Sequence, residues 1–299
     1  MNAPLPLRSV RQPGTPSVCR LDTLAGPGRY LEFRLEPGKS LLQALSDPLL
    51  EAGIIGGTVK LDGMLLSPHH FVMPAQATDG EHAAYYSEQF SIETGARCEI
   101  ARATFGRRDG VPFVHCHAVW RLSDGSLQGG HILNDQAIVG EATIAQAWGL
   151  GNATMQAEFD EETRFTLFRP ISDGEQPTQA ASTRIAIARL KPNQDLLQGI
   201  EEACRENGFS NAIVRGSVGS IIGAEFEEGH QVTNMETEIM VQHGFVKSGA
   251  DGLRAQLDIA LADRYGTVSS GRLKRGHNPV LICFELVLEE VDAGHPELR

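Results

Sequence analysis

A chain of 299 residues, 41% apolar and 21% charged, has the make-up of a soluble globular protein and the length of two domains. Its formal net charge of −12 argues against a DNA-binding surface, because such surfaces neutralise phosphates with Lys and Arg. The five cysteines are odd in number and show no CxxC spacing. They argue against a disulfide framework and a Cys-type zinc site, and they suit a reducing, cytoplasmic compartment. No apolar run approaches the roughly 18 residues of a membrane span.

Residues 1–18 carry several prolines and no apolar core, and are expected to be a disordered N-terminal segment. An apolar strand, Tyr30 to Leu35, then leads through a Pro-containing turn to a helix capped by Ser40 and closed near Gly53. Pro48 interrupts this helix, so a kink or a restart is expected there, with Asp47 as a second cap.

Val114 to Leu122 and the stretch after Ser126 are rich in β-formers and flank Asp124-Gly125, as in a hairpin. Two turns are open. With a three-residue turn (Ser123, Asp124, Gly125), His117 lies directly opposite His131, and His115, two positions along, shares their face. Three imidazoles so placed can converge on one divalent ion. A two-residue turn reverses His131, since a one-residue slip sends every side chain to the other face. Cys116, between the two histidines, points away from them and reads as a small core hydrophobe. Glu99 and Glu141 are strand carboxylates nearby and are the candidates for general acid or base.

Residues 157–168 read as two short strands around an acidic turn, and residues 172–182 as a polar linker. Beyond it the chain repeats itself. Leu190 to Ile200 matches Leu35 to Leu45 at five of eleven positions, with Asp195 and Gly208 as the new cap and terminator. The segment Asp258 to Arg272 has the alternation and turn of the first hairpin. In the same register Asp258 faces Arg272 and Gln256 stands for His115, so the second copy lacks all three histidines.

The sequence Arg97-Cys-Glu-Ile100, Pro112-Phe-Val-His-Cys-His117, the turn Asp124-Gly125 and Gly129-Gly-His131 together resemble the plants-and-prokaryotes-conserved (PPC) domain family. The resemblance covers residues 28–170, and residues 183–293 share the strand–helix opening and the hairpin. Cys98 stands where the family usually has an aromatic residue. The resemblance implies an α/β (α+β) fold of two tandem PPC-like domains, each a mixed, mostly antiparallel sheet with packed helices. The expected boundaries are 19–171 for the metal-binding domain, 183–293 for the degenerate one and 294–299 for a tail. It further implies a homotrimer and a zinc-like ion on His115, His117 and His131. The family is often labelled DNA-binding, but the Arg-Gly-Arg hook that contacts DNA in its plant members is missing here, so direct nucleic-acid binding is not expected.

Three functions compete on this reading: a metal-dependent enzyme on a small molecule, a non-catalytic regulatory or DNA-binding protein, and a structural trimer with a stabilising ion. A concave pocket over the ion lined by Glu or Arg distinguishes the first from the third.

Overall fold

A computed structural model describes residues 8–174 and 183–299. The fold is α+β: among the described residues, mostly antiparallel strands with two helices of 11 residues each, Leu41–Glu51 and Leu196–Glu206. Neither helix is long and apolar enough to cross a membrane.

The two helices begin as their caps dictate. Ser40 and Asp195 have extended backbones, and their side-chain oxygens accept from the N–H groups of Gln43 and Gln198. Gly53 and Gly208 follow the last turns in the left-handed region, with φ of +68° and +70°. The restart expected at Pro48 does not occur. One helix runs through it, and the Asp47 carboxylate bonds Lys39 instead of capping a second helix.

The first sheet runs, strand beside strand, through Phe90–Ile92, His69–Val72, Leu127–Ile132, Val111–Arg121, Ala96–Arg108, Gly56–Lys60 and Ile144–Leu150. The second runs through Arg184–Leu190, Val280–Glu290, Val218–Glu225, Gln231–Gly249, Gly252–Asp263 and Val268–Arg272. Strand Leu21–Arg34 joins both. Its residues 28–34 pair with Ile144–Leu150, and its residues 21–27 pair with Arg184–Leu190. The chain thus enters through the second sheet before it reaches the first. Gly28 marks the changeover, where a Cβ would stand 2.7 Å from Ile185 Cγ1.

Residues 8–18, expected to be disordered, are packed on the second half. Asn193 brackets Val10 with two hydrogen bonds of 2.9 Å, and buried Gln12 donates to the Leu281 carbonyl at 2.7 Å. A polar, proline-bearing segment hides this in the sequence, because its partners are distant side chains and carbonyls. The tail is docked too: Glu297 pairs with Arg215 and Leu298 is buried. Residues 1–7 and, of the linker expected at 172–182, residues 175–182 lie outside the described residues.

Each half has its own apolar core, one around Leu45, Phe105 and Trp120, the other around Leu197, Ile239 and Phe284. Two further clusters join the halves: Trp148 and Leu150 with Ile185, Ile187 and Val287, and Val119 with Val218, Met240 and Ala260. Val119 shares a strand face with His115 and His117. The face that carries the histidines is thus the face on which the second half packs.

Candidate metal centre

The turn between Val111–Arg121 and Leu127–Ile132 is the three-residue one. Gly125 takes a φ of +85°, and Leu122 and Ser126 close the loop through the Leu122 N–H at 2.9 Å. His131 consequently pairs directly with His117. His115, His117 and His131 offer ligand nitrogens that all lie within 4.8 Å of one another. Cys116 faces away into the first core, where burial pushes its thiol well above its ordinary range.

Gly129 and Gly130, just before His131, are required by close approach. A Cβ at Gly129 would stand 2.9 Å from the Ala262 methyl, and one at Gly130 would stand 2.6 Å from the Val72 carbonyl oxygen. The Gly-Gly-His run thus lets the hairpin lie flat against the second half.

Two of the imidazoles have their outer nitrogens committed. His117 Nδ1 lies 3.1 Å from the Ile239 carbonyl, which only accepts, so this nitrogen carries the proton. His115 Nδ1 lies 2.8 Å from Glu285 Oε1 and donates to that carboxylate. Their Nε2 atoms then face each other at 2.9 Å, lone pair against lone pair. Such a pair needs a cation or a shared proton between them. Two nitrogens of a tetrahedral zinc site stand roughly 3.3 Å apart when each is about 2.0–2.1 Å from the ion, so the two rings would part by about 0.4 Å to hold one. His131 Nδ1 is buried without a hydrogen-bond partner, a third donor left free. Burial, reinforced by the neighbouring imidazoles, holds His117 and His131 well below the ordinary histidine pKa, which keeps them as neutral donors.

The second half completes the site with two carboxylates that sequence reasoning missed. Glu238 Oε1 lies 3.6 Å from His117 Nε2 and 3.8 Å from His131 Nδ1. Glu285 is the partner of His115. Both are buried, and each keeps one oxygen without a hydrogen-bond partner. Burial pushes the Glu238 carboxyl well above the usual carboxylate range. Their one sequence signal is an acidic residue inside an otherwise apolar strand, as in Val280-Leu-Ile-Cys-Phe-Glu285, where burial is costly unless a partner waits. The candidates Glu99 and Glu141 are not brought to the site. Each is exposed and bound to an arginine, Glu99 to Arg121 at 2.8 Å and Glu141 to Arg97. They were near in sequence to the histidines, but Glu99 points outward from its strand and Glu141 lies in a bend outside the strands, beside Arg97.

A cleft of about 330 Å³ opens over His115 and His131, lined also by Glu285, Tyr86, Phe113, Phe168, Arg108 and Arg164. Behind Tyr86 a narrower chamber of about 60 Å³ reaches His117 and Glu238, with Leu281, Ile282 and Leu167 among its apolar walls.

The second hairpin repeats the register without the donors. Asp258 faces Arg272, and the guanidinium binds both carboxylate oxygens at 2.9 and 3.1 Å. With its amide oxygen turned toward it, Gln256 accepts from the same guanidinium at 2.9 Å.

Residues 177–292 match the family model of the Plants and Prokaryotes Conserved (PCC) domain. The matched half is the one without the triad. No curated protein matches the chain. Among solved structures, a metal-containing protein of Archaeoglobus fulgidus is 22% identical, with a TM-score of 0.40 over 48% of this chain and 94% of its own. A plant- and prokaryote-conserved protein of Pyrococcus horikoshii is 18% identical, with a TM-score of 0.40 over 50% of this chain and 96% of its own.

Proposed function

From the premise that the chain carries a PCC domain, we propose that it is a metal-dependent enzyme acting on a small molecule, with one divalent ion, zinc, held by His115, His117 and His131. The observation that carries this reading is the pair of Nε2 atoms 2.9 Å apart, their outer nitrogens already committed, beneath an open cleft. Imidazole donors also suit nickel, copper and iron, and zinc is the choice of a redox-silent ion on three neutral nitrogens. A divalent ion here supplies Lewis acidity and makes water a nucleophile near neutral pH.

The chain's own residues do the rest. Glu285 fixes the ring plane and tautomer of His115, and the Ile239 carbonyl does the same for His117. Glu238, with one oxygen free, is placed to exchange a proton with a molecule in the inner chamber. The walls from Leu281, Ile282 and Leu167 restrict water there. A purely structural ion needs no cleft above it, and the cleft is what favours catalysis over a scaffold.

A homotrimer in the cytoplasm completes the proposal. The five cysteines are all free thiols, which suits a reducing compartment. Direct nucleic-acid binding is left out, given the net charge of −12.

The test is elemental analysis of the purified protein with a screen of small esters, lactones and amides. One ion per chain and a turnover lost on chelation and restored by zinc are expected. A protein that stays free of metal after incubation with zinc, nickel or iron would overturn the reading. Light scattering that gives a monomer mass would overturn the trimer.

A further inference from the structure

We propose that the cleft takes a small organic anion whose charged group is held by Arg108 and Arg164 while its reacting part lies toward the three histidines; the inference rests on the metal-site reading above. The two arginines line the same cleft as His115 and His131. They come from separate elements, Arg108 from the end of strand Ala96–Arg108 and Arg164 from the turn between Ala153–Phe159 and Thr166–Ser172. Those two elements lie side by side, since Ala157 pairs with Arg108 in parallel.

Neither guanidinium is tied up by a strong internal partner. Arg164 makes no ion pair with a carboxylate among the described residues. Arg108 has its sequence neighbour Asp109 at 3.7 Å, and that carboxylate is itself 91% exposed. By contrast, the arginines at other junctions of this acidic chain are locked: Arg189 to Asp22 and Asp160, Arg215 to Glu289 and Glu297. The acidic turn that holds Arg164 spends its own charge elsewhere. Asp160 bonds Arg189 through one oxygen, and the other accepts from the N–H and hydroxyl of Thr163 at 2.9 Å. The Arg164 N–H closes the turn on the Asp160 carbonyl at 2.8 Å, which fixes the base of the side chain at the rim of the cleft.

Arg side chains present paired N–H donors that match the two oxygens of a carboxylate or a phosphate. A cleft of about 330 Å³ admits a molecule of metabolite size and no polymer segment folded into it. Glu285 lines the same cleft, bonded to His115 at 2.8 Å, so the histidine end carries a carboxylate and the two exposed arginines supply the cleft's cations. An anion is therefore oriented with its charge outward and its reacting end inward. The ring of Phe113, over which Arg108 lies at 5.8 Å, and the walls of Phe168 and Leu167 suit a short carbon chain between the two ends.

The test uses the full chain with its metal content measured first. Succinate, butyrate and propyl phosphate are titrated by calorimetry, each beside its uncharged counterpart: succinamide, butyramide and propanol. At least one anion is expected to bind roughly tenfold or more tightly than its counterpart, and the better of the carboxylate and phosphate probes identifies the anion type. In the R108Q/R164Q double variant that preference should fall to about parity while the bound metal is unchanged, since neither arginine touches the histidines. An R164K variant should lose part of the preference and keep its melting temperature. The proposal is overturned if the metal-loaded protein binds no anion better than its neutral counterpart, or if the double variant keeps the preference. Should the parent bind no metal, the metal reading fails alone, and the same titration of the metal-free protein still decides whether Arg108 and Arg164 hold an anion.

Discussion

His115 Nδ1 lies 2.8 Å from Glu285 Oε1, so a histidine of the first sheet takes its orientation from a carboxylate 170 positions further along the chain. A carboxylate behind a ligand histidine fixes the tautomer and raises the basicity of the other nitrogen, and its loss typically costs about 10- to 100-fold in metal affinity. Glu285→Ala is expected to weaken zinc binding within that range when measured by chelator competition. Glu285→Gln, which keeps an accepting oxygen, should lose less. Affinity equal to the parent's in both variants would show that the carboxylate does not orient the site.

Gly129 is the point where the metal hairpin meets the second half. Its N–H donates to the Gly266 carbonyl at 3.2 Å, and Ala262 leaves no room for a side chain. Gly129→Val forces either the hairpin or the facing strand to move, at a cost of about 1–3 kcal/mol typical of overpacking. Because the displaced surface carries Glu238 and Glu285, metal affinity should fall along with the melting temperature. A variant with normal stability and normal affinity would contradict the tight apposition.

His69 offers a pH test away from the metal. It is fully buried between Phe71 and Trp120, and neither ring nitrogen has a hydrogen-bond partner. Burial, helped by nearby His70, lowers its pKa from 6.5 to about 3. The unfolded chain takes up a proton near pH 6.5 that the folded chain refuses until about pH 3. Stability is therefore fully present above pH 6.5 and is lost as pH falls from there toward 3, by at most about 1.4 kcal/mol per pH unit. Between pH 7 and pH 5 this histidine should account for about 2 kcal/mol of lost stability. In His69→Leu that part of the acid sensitivity should vanish from denaturant titrations. An unchanged slope with pH would show that His69 is not the group responsible.

What could be read from the sequence was what local chemistry determines. Ser40 and Asp195 announce their helices because a cap bonds three residues ahead. Asp124-Gly125 narrowed the hairpin to two registers, and the three-residue turn of the structure selects the one that puts His115, His117 and His131 on a shared face. Nothing local ties position 115 to 285 or position 117 to 238, so the carboxylates of the site came to light only when the two sheets were seen packed together. Nearness in sequence favoured Glu99 and Glu141, but Glu99 faces outward from its strand and Glu141 lies in a bend outside the strands. The same limit hid the docking of residues 8–18, whose hydrogen bonds go to side chains and carbonyls more than 140 positions away. It also hid the division of strand Leu21–Arg34 between two sheets, since a single apolar alternation serves either partner.

The second hairpin supplies the sharpest test of the metal reading. It has the register of the first, with Asp258 opposite Arg272 where His117 faces His131. Arg is permanently cationic and offers no lone pair, so it cannot ligate an ion. Its guanidinium binds both Asp258 oxygens and places a positive charge where an ion would otherwise be held. The pair is partly exposed, at 38% and 27%, and contributes only about 0.2–1 kcal/mol, so removing it should barely change stability. Asp258→Ala is therefore expected to keep one ion per chain with a melting temperature close to the parent's. His117→Ala removes the nitrogen at the centre of the donor set and should abolish all tightly bound metal. Elemental analysis of the two variants beside the parent decides it: two ions per chain in the parent, or tight metal surviving in His117→Ala, would show that the ion is held elsewhere.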